Sequence, residues 1–175
     1  MNWTGQGDQG IERNPIYVIV ENVRSLFNVG SIFRAADGVR AQKVFLTGFT
    51  GSPPRPEIDK VALGADKAVP WSSHQDTLPV ISDLRRNGVC VLALEKADGS
   101  FDFQDYPYRF PVALVLGHEL SGVSEATLSE CNGCIHIPMQ GIKRSLNVSV
   151  ACGVLLYELL RNIRNQNKIP RVLRS

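Results

Sequence analysis

The sequence predicts an α/β domain with a Rossmann-like parallel sheet and helices on both faces. Five short runs rich in Val, Ile and Leu recur along the chain. None of them alternates with polar residues, which is typical of strands buried on both faces. Segments with helical spacing separate these runs, as in βαβ units. The length of 175 residues, with 43% hydrophobic and 21% charged residues, suits one globular domain.

The elements follow in chain order. The predicted strands are residues 16–20, 43–47, 89–94, 112–116 and 135–137. The predicted helices are about 28–37, ended by Gly38; about 77–87, capped by Asp76 and ended by Gly88; a short one after Ser124; and a long one from Ser145 to about Asn165. Positions 148, 151, 155, 159 and 163 of the long helix form an apolar stripe. Residues 51–56 contain three prolines and should form a loop.

The chain divides into three parts. We expect a flexible lead-in at residues 1–14, one domain at 15–165 and a basic tail at 166–175. The stretch GQGDQG at 5–10 matches the dinucleotide-binding fingerprint. That fingerprint works only between a strand and a helix, and here no strand precedes it, so we exclude it.

Charge is concentrated near the C-terminus. The net charge is +2, but residues 161–175 carry +5 and the first 160 residues carry −3. Lys and Arg at this place fit two interpretations, the solvated end of a helix or a tail that contacts phosphates.

No apolar run approaches the roughly 20 residues that cross a bilayer. The N-terminal stretch contains Asp8 and Glu12 and does not resemble a signal peptide. A cytoplasmic protein without a membrane segment is therefore expected. Cys131 and Cys134 are spaced like a redox or metal pair, but a second pair is missing and a strand follows them. We favour a structural role for both cysteines and predict no metal.

Three segments that follow predicted strands are rich in Gly, Asn, Ser and charge. They read NVRSLFNVGSIFRAAD at 22–37, LGHELSGVS at 116–124 and IPMQGIKRSLNVSVA at 137–151. Ligands of open parallel sheets bind outside the carboxyl ends of the strands, so the segments should meet at one site. Glu119 follows a buried strand, where a carboxylate is costly unless it is hydrogen-bonded.

In this order and at these spacings, the segments resemble the three motifs of the SpoU (TrmH) branch of the SPOUT superfamily, with no departure at a motif position. The resemblance covers about residues 15–165. It implies an S-adenosylmethionine-dependent enzyme that methylates ribose 2′-hydroxyls of RNA. It also implies a C-terminal trefoil knot across roughly residues 90–165, although protein chains rarely knot. A homodimer with the long C-terminal helix at its interface is implied as well.

The resemblance assigns roles residue by residue. It places Arg34, Asn28, Glu119, Ser145 and Asn147 in the catalytic site, and cofactor contacts at Leu94, Gly117, Ile137, Met139, Ser145 and Leu146. Gly117 would let the backbone approach the cofactor. RNA contacts are expected from Arg34 and, because of the charge near the C-terminus, from Arg161, Arg164, Arg171 and Arg174.

Several roles have alternatives. Arg34 is either the base that removes the hydroxyl proton or a stabiliser of the developing alkoxide, since arginine is ordinarily always charged. Without the motifs it would be read as a surface ion pair with Asp37. Gly30, four residues earlier, should leave room beside it. Ser145 also suits a helix N-cap, and Glu119 is interpreted as an organiser of the site.

The substrate is expected to be tRNA rather than rRNA, because a minimal domain suits a compact RNA. The alternatives are an rRNA 2′-O-methyltransferase and a non-catalytic RNA-binding module on the same fold.

Overall fold

The computed structural model describes residues 4–5, 10 and 12–168. Their strands are β1 (Thr4–Gly5), β2 (Asn14–Glu21), β3 (Ala41–Thr47), β4 (Trp71–His74), β5 (Cys90–Leu94), β6 (Phe101–Asp102), β7 (Val112–Leu116) and β8 (Gly133–His136). Their helices are α1 (Leu26–Gly38), α2 (Pro56–Ala62), α3 (Ala65–Ala68), α4 (Thr77–Arg86), α5 (Glu125–Glu130) and α6 (Val148–Lys168).

These strands form one sheet in the order β1-β4-β3-β2-β7-β5-β8-β6. Every neighbouring pair is parallel except β1 and β4. Strand β7 lies in the middle, and all five of its residues are buried. Burial on both faces explains the uninterrupted apolar runs in the sequence. The predicted parallel α/β sheet is therefore confirmed.

Alternate side chains of the central strands pack into two cores. Val18 and Leu114 face a core shared with α1, α2, α3 and α6. Ile19 and Val115 face a smaller core shared with α4, and Leu128 of α5 packs against it. Side chains of a strand point alternately to opposite faces, so each strand seals both layers. The predicted helices on both faces are thus confirmed.

The predicted elements lie within about two residues of the observed ones, with one larger shift and several omissions. Strand β4 was not predicted, because its sequence WSSH is mostly polar. Helix α2 follows the proline-rich loop and begins at Pro56, a position where proline's missing N–H costs nothing. Pro56, which was predicted to be the last residue of the loop, is therefore the first residue of the helix. β1, β6 and α3 span only two to four residues and left no periodic pattern.

Helix α6 begins at Val148, so the predicted start at Ser145 is wrong. Asn147 precedes the helix, and its Oδ1 accepts the N–H of Ser149 at 2.9 Å and that of Val150 at 3.4 Å. An asparagine oxygen in this place satisfies helix donors that lack partners. Ser145 lies in the preceding loop and is exposed.

The apolar stripe of α6 belongs to the core. Leu155, Leu159 and Ile163 are buried against the sheet and α1. Val150, Val154 and Tyr157 lie on a different side of the helix and are 52%, 37% and 56% exposed. The stripe seen in the sequence therefore explains how α6 packs within the chain. The exposed apolar side chains Val150, Val154 and Tyr157 do not belong to that stripe.

The predicted boundaries at both ends change. Thr4–Gly5 pairs with β4, and β2 begins at Asn14, so these parts of the predicted lead-in belong to the sheet. Helix α6 continues to Lys168. Arg171 and Arg174 lie outside the described residues, as does most of the predicted tail. Among the helices that the structure describes, none has the length and apolar character to cross a membrane.

Candidate active site

The three motif segments meet at the carboxyl edge of the sheet, defined as the edge where the parallel strands end. The first segment follows β2, and the second follows its neighbour β7. The third follows β8, which pairs with β5 on the other side of β7. Chain topology thus places the second and third segments beside the first, from which they are separated by about 90 to 120 residues, as predicted from the strand ends.

Glu119 ties the second segment to the first. Its carboxylate accepts the backbone N–H groups of Arg24 at 3.1 Å and Ser25 at 3.0 Å. It also accepts Nδ2 of Asn28 at 3.1 Å. Ser25 is the N-cap of α1, and its Oγ accepts the N–H of Asn28 at 3.3 Å. The carboxylate therefore fixes the start of α1, which is the organising role expected for Glu119.

These contacts determine the ionisation of Glu119. Burial by itself raises the pKa of this carboxyl, but the N–H groups of Ser25 and Arg24 and the amide of Asn28 outweigh it. The pKa lies below its usual value, so Glu119 is a carboxylate at neutral pH. As an ionised acceptor without a proton, it holds these donors and has no hydrogen to give.

Asn28 connects Glu119 to the third segment. While its Nδ2 donates to Glu119, its Oδ1 accepts Nδ2 of Asn147 at 3.1 Å. Asn147 in turn uses its Oδ1 for Ser149, whose hydroxyl lies 2.7 Å away. The continuous chain Glu119, Asn28 and Asn147 therefore joins all three segments, and we name it the motif network.

The loop 117–123 after β7 folds back on itself. The N–H of His118 donates to the carbonyl of Gly122 at 3.0 Å, and the reverse bond measures 2.9 Å. A Cβ on Gly117 would lie 2.2 Å from backbone atoms of Gly122 and Val123. Gly117 is thus required for the loop to close, a reason that the sequence did not reveal.

Two further glutamates position this loop and were missed in the sequence. Glu95 accepts the N–H of Val123 at 3.1 Å. Glu21, only 4% exposed, accepts both the N–H and the hydroxyl of Ser124 at 3.0 and 3.1 Å, and also the hydroxyl of Thr127. Both follow or end an apolar strand, as Glu119 does, and that shared pattern was the available signal. Buried carboxylates in such places must be hydrogen-bonded.

Arg34 lies on α1 outside the motif network. Its side chain is exposed and forms no hydrogen bond or ion pair with any residue that the structure describes, so the ion pair with Asp37 is absent there. Gly30 is buried, and a Cβ on it would lie 2.7 Å from the carbonyl oxygen of Ile58. The prediction that Gly30 leaves room beside Arg34 is therefore wrong, because it makes room for α2.

The loop 138–146 between β8 and α6 carries unused polar groups. Within the part of the chain that the structure describes, this loop makes no hydrogen bond. Lys143, Arg144 and Ser145 are exposed. Ser145 is thus near the motif network in sequence but is not part of it. The loop offers cationic, hydroxyl and backbone groups to a ligand.

Apolar side chains accompany these polar groups. Leu94 and Ile137 are half-buried against the core at the ends of the paired strands β5 and β8. Met139 is half-buried, and Leu146 is 36% exposed. The residues that the resemblance assigns to the cofactor therefore offer an apolar, partly open surface at the carboxyl edge.

The cysteine pair is engaged with the backbone. Cys131 Sγ donates to the carbonyl of Thr127 at 3.2 Å, and Cys134 Sγ to that of Glu95 at 3.1 Å. Burial raises the pKa of both thiols, that of Cys131 to about 12. Raised thiol pKa values disfavour the reactive thiolate, in keeping with a structural role for the pair. Over residues 12–168, no group of three His, Cys, Asp or Glu side chains is arranged to hold a metal.

The predicted RNA-binding arginines of α6 differ from one another. Arg161 donates from Nε to Glu158 at 2.8 Å, whereas Arg164 is exposed with no partner among the described residues. At 1.5 Å per residue, both lie roughly 20–25 Å along the helix from Asn147. Both arginines are therefore too distant to contact a group bound at the motif network.

A groove of about 810 Å³ lies at the opposite, amino edge of the sheet, where β5 and β7 begin. It is lined by Arg85, Arg86, Cys90, Tyr106 and Arg109, among others. Arg85 is paired with Glu130 at 3.0 Å, and Arg86 with Asp83. None of the site residues predicted from sequence lines this groove.

Comparison with known proteins gives a consistent family. Residues 15–157 match the model of the SpoU rRNA Methylase family. The chain is 35% identical over 144 residues to the tRNA (guanosine(18)-2′-O)-methyltransferase of Thermus thermophilus, covering 82% of this chain and 73% of that protein. It is 32% identical over 152 residues to the 23S rRNA (guanosine-2′-O-)-methyltransferase RlmB of Ralstonia nicotianae, covering 87% of this chain and 61% of that protein.

A solved structure agrees with these relatives. The AdoMet-bound rRNA methyltransferase from Sinorhizobium meliloti superposes with a TM-score of 0.81 at 32% identity. The match covers 87% of this chain and 58% of that one. The chain therefore spans about three fifths to three quarters of the length of these proteins.

Proposed function

The chain belongs to the SpoU methylase family, and we propose that it transfers a methyl group from S-adenosylmethionine to a ribose 2′-hydroxyl of RNA. The observation that carries this proposal is the motif network, in which Glu119, Asn28 and Asn147 are hydrogen-bonded across all three segments. A methyl transfer between two bound molecules depends mainly on positioning. A network that fixes three loops at one edge supplies that positioning.

The residues present fit S-adenosylmethionine. Leu94, Ile137, Met139 and Leu146 offer apolar surface to its adenine and methionine portions, and the hydrogen-bonding groups of loop 138–146 are free within the described chain. Ser145 adds a hydroxyl. Gly117 acts by keeping loop 117–123 closed beside this surface. When bound, S-adenosylmethionine supplies a methyl group already activated by a positively charged sulfur.

Arg34 is proposed to act on the ribose oxygen. Methyl transfer requires the 2′-hydroxyl to lose its proton, which passes to solvent water, and negative charge develops on the oxygen as it does so. No carboxylate that the structure describes pairs with Arg34, so its full charge is available. Because a guanidinium does not ordinarily deprotonate, we favour stabilisation of that oxygen over the role of base.

The roles of the remaining site residues follow from the contacts. Glu119 and Asn28 position the start of α1, and Asn147 positions the start of α6. Ser145, Lys143 and Arg144, which are exposed, are proposed to contact a phosphate or the ribose. Arg164, with Arg161, Arg171 and Arg174, is proposed to contact the RNA backbone away from the reacting atoms.

We favour tRNA as the substrate. The relative from Thermus thermophilus, named for tRNA, shares 35% identity and is covered over 73% of its length. The relative named for 23S rRNA shares 32% and is covered over 61%. The difference is small, and rRNA is the second candidate. Action on either RNA supports the proposal of a cytoplasmic protein.

Two larger features are part of the proposal. The segment from about 90 to 165 is proposed to form the trefoil knot of the superfamily. In support, α6 returns from the carboxyl edge to pack on α1 within the same core.

A homodimer is proposed through the exposed apolar face of α6, formed by Val150, Val154 and Tyr157.

A non-catalytic RNA-binding module is the competing function. The completeness of the motif network and the unpaired Arg34 favour the enzyme, because binding alone needs neither. The test is mass spectrometry of nucleosides from tRNA and rRNA of wild-type and deletion strains. We expect one 2′-O-methyl nucleoside to disappear from tRNA in the deletion strain. Loss from rRNA would move the substrate to rRNA, and no loss from either would contradict the enzyme assignment.

A further inference from the structure

An exposed aromatic side chain stands beside the motif network. Phe49 follows β3 at the carboxyl edge and is 62% exposed. Its ring meets the imidazole of His118 edge to face, with centroids 6.0 Å apart and planes at 78°. His118 directly precedes Glu119. The two rings therefore lie at the same edge of the sheet as the motif network.

The backbone under Phe49 is held firmly. Its N–H donates to Oδ1 of Asn22 at 3.1 Å. Gly48 has a φ of +65°, and a Cβ there would collide with the same Asn22 oxygen. Thr50 donates to the carbonyl of Val20 at 2.9 Å and accepts the N–H of Val23 at 3.0 Å. The loop after β3 is thus bonded to the loop after β2, and it presents Phe49 outward.

His118 is fixed in the same way. Its Nδ1 accepts the N–H groups of Leu120 at 3.1 Å and Ser121 at 3.2 Å. An acceptor nitrogen carries no proton, so the ring proton of the neutral imidazole is on Nε2. Both rings are therefore oriented by backbone contacts. An ordered aromatic surface loses little conformational entropy when a ligand stacks on it.

The charges at this edge identify the ligand. Glu21, Glu95 and Glu119 are all occupied by N–H or hydroxyl donors of the chain. In contrast, four cations of the loops at this edge are exposed and have no acceptor within the described chain: Arg24, Arg55, Lys143 and Arg144. Free cations next to an exposed aromatic ring match single-stranded nucleic acid, whose phosphates and base faces they bind together.

We propose that Phe49, backed by His118, is a stacking platform for an unpaired base of the RNA substrate adjacent to the methylated nucleotide. This inference rests on the proposed function and adds a residue that selects unpaired RNA. Stacking between a base and an aromatic side chain is tolerant of sequence. The platform therefore requires an unstacked base next to the target and does not read which base it is.

Steady-state methyl transfer and RNA binding by the full chain test the platform with Phe49→Ala, Phe49→Tyr and Phe49→Leu. We expect Phe49→Ala to raise KM and Kd for RNA about 5- to 150-fold, the range that loss of one stacked base predicts. The value of kcat and the affinity for S-adenosylmethionine should change little. Tyrosine should restore binding and leucine should not, because leucine has no aromatic face.

Phe101→Ala is the matched control. Phe101 is 53% exposed and also meets a second ring edge to face, that of Tyr106 at 5.5 Å, but it lies on β6 away from the motif network. This variant should bind RNA as the wild type does. The slope of log Kd against log salt should also be unchanged in Phe49→Ala, since stacking releases no counterions.

The outcomes separate the platform from the proposed function. Wild-type Kd in Phe49→Ala, or full rescue by leucine, would overturn the platform even if methyl transfer is normal. Absence of methyl transfer by the wild type to tRNA and rRNA would overturn the proposed function, while the Kd values would still decide the platform. Since Phe49 is mostly exposed, the variants should fold. If Phe49→Ala does not fold, the comparison of Phe49→Tyr with Phe49→Leu still decides the matter.

Discussion

The carboxyl and amino edges of the sheet are formed by the same parallel strands but use their charged side chains differently. At the carboxyl edge, Glu119 is occupied by backbone N–H groups, and the cations Lys143 and Arg144 of loop 138–146 have no partner among the described residues. At the amino edge, Arg85 and Arg86 pair with Glu130 and Asp83. The groove of about 810 Å³ lies at the amino edge.

This difference shows which property locates a site in this chain. The amino-edge groove is large, but two of its cations are already paired with acids of the chain. At the carboxyl edge, Glu21, Glu95 and Glu119 accept donors of the chain itself, and the cations and backbone groups of loop 138–146 remain free within the described residues for an anionic substrate. The two edges therefore differ in how many of their cations are paired within the chain, and Arg109 is the groove cation without an acceptor among the described residues.

The largest expected effect is at Glu119. Glu119→Gln replaces a carboxylate oxygen by an amide that faces N–H donors, so the start of α1 should shift. Since a displacement of about 1 Å can cost a hundredfold in rate, methyl transfer should fall by roughly 100-fold or more. The midpoint of thermal unfolding should fall by several degrees. The control is Glu130→Gln at the amino edge, which should alter the rate less than about twofold. Equal effects of the two substitutions would erase the distinction between the edges.

The same carboxylate gives a pH dependence. The folded protein lowers the pKa of Glu119 below the unfolded value of about 4.3. Its contribution to the free energy of unfolding is therefore complete above that pH and is lost as pH falls through the lowered pKa. Urea unfolding should show a constant difference between wild type and Glu119→Gln from pH 7 to about 5, which shrinks below about pH 4. A difference independent of pH would contradict this origin.

A smaller change sharpens the comparison at the exposed face of α6. Val154→Glu places a charge within the apolar side chains proposed to form the dimer. We expect sedimentation to show a monomer, since a buried unpaired charge is costly. Phe101→Glu changes a side chain of similar exposure elsewhere and should leave the dimer intact. A monomeric wild type with full activity would refute the dimer.

The smallest effects are expected at the far end of α6. Arg164→Ala should reduce the slope of log Kd against log salt for RNA by about one, as for one lost phosphate contact. Arg161→Ala should reduce it less, because Glu158 already pairs with Arg161. Unchanged slopes in both variants would show that Arg161 and Arg164 do not contact RNA phosphates and are only solvated.

Much of the fold followed from the sequence because burial on both faces leaves a clear pattern. The runs at 112–116 and 16–20 required a parallel sheet, and the motif segments had to lie at its carboxyl edge. Strand β4 was missed because Ser72, though buried, is polar. The start of α6 was misplaced because Ser145 and Asn147 are equally good caps by type, and only the contacts of Asn147 decide between them.

Parts of the site could not be predicted for a related reason. That Glu119 accepts two backbone N–H groups 94 and 95 residues away depends on tertiary structure. The glycines are similar: Gly30 and Gly117 were noticed, but their neighbours, Ile58 and the Gly122–Val123 backbone, were not. Residue type indicated which positions matter, and only the fold indicated what each one touches.

The carboxyl edge is proposed to transfer a methyl group to RNA, and a labelling assay tests this most directly. Purified wild-type, Arg34→Ala and Arg86→Ala proteins are incubated with unmodified tRNA and S-adenosylmethionine labelled in its methyl group. We predict label in one 2′-O-methyl nucleoside with wild type and with Arg86→Ala. Arg34→Ala should lose transfer but keep its affinity for S-adenosylmethionine. Wild-type turnover in Arg34→Ala, or loss of turnover in Arg86→Ala alone, would contradict the account.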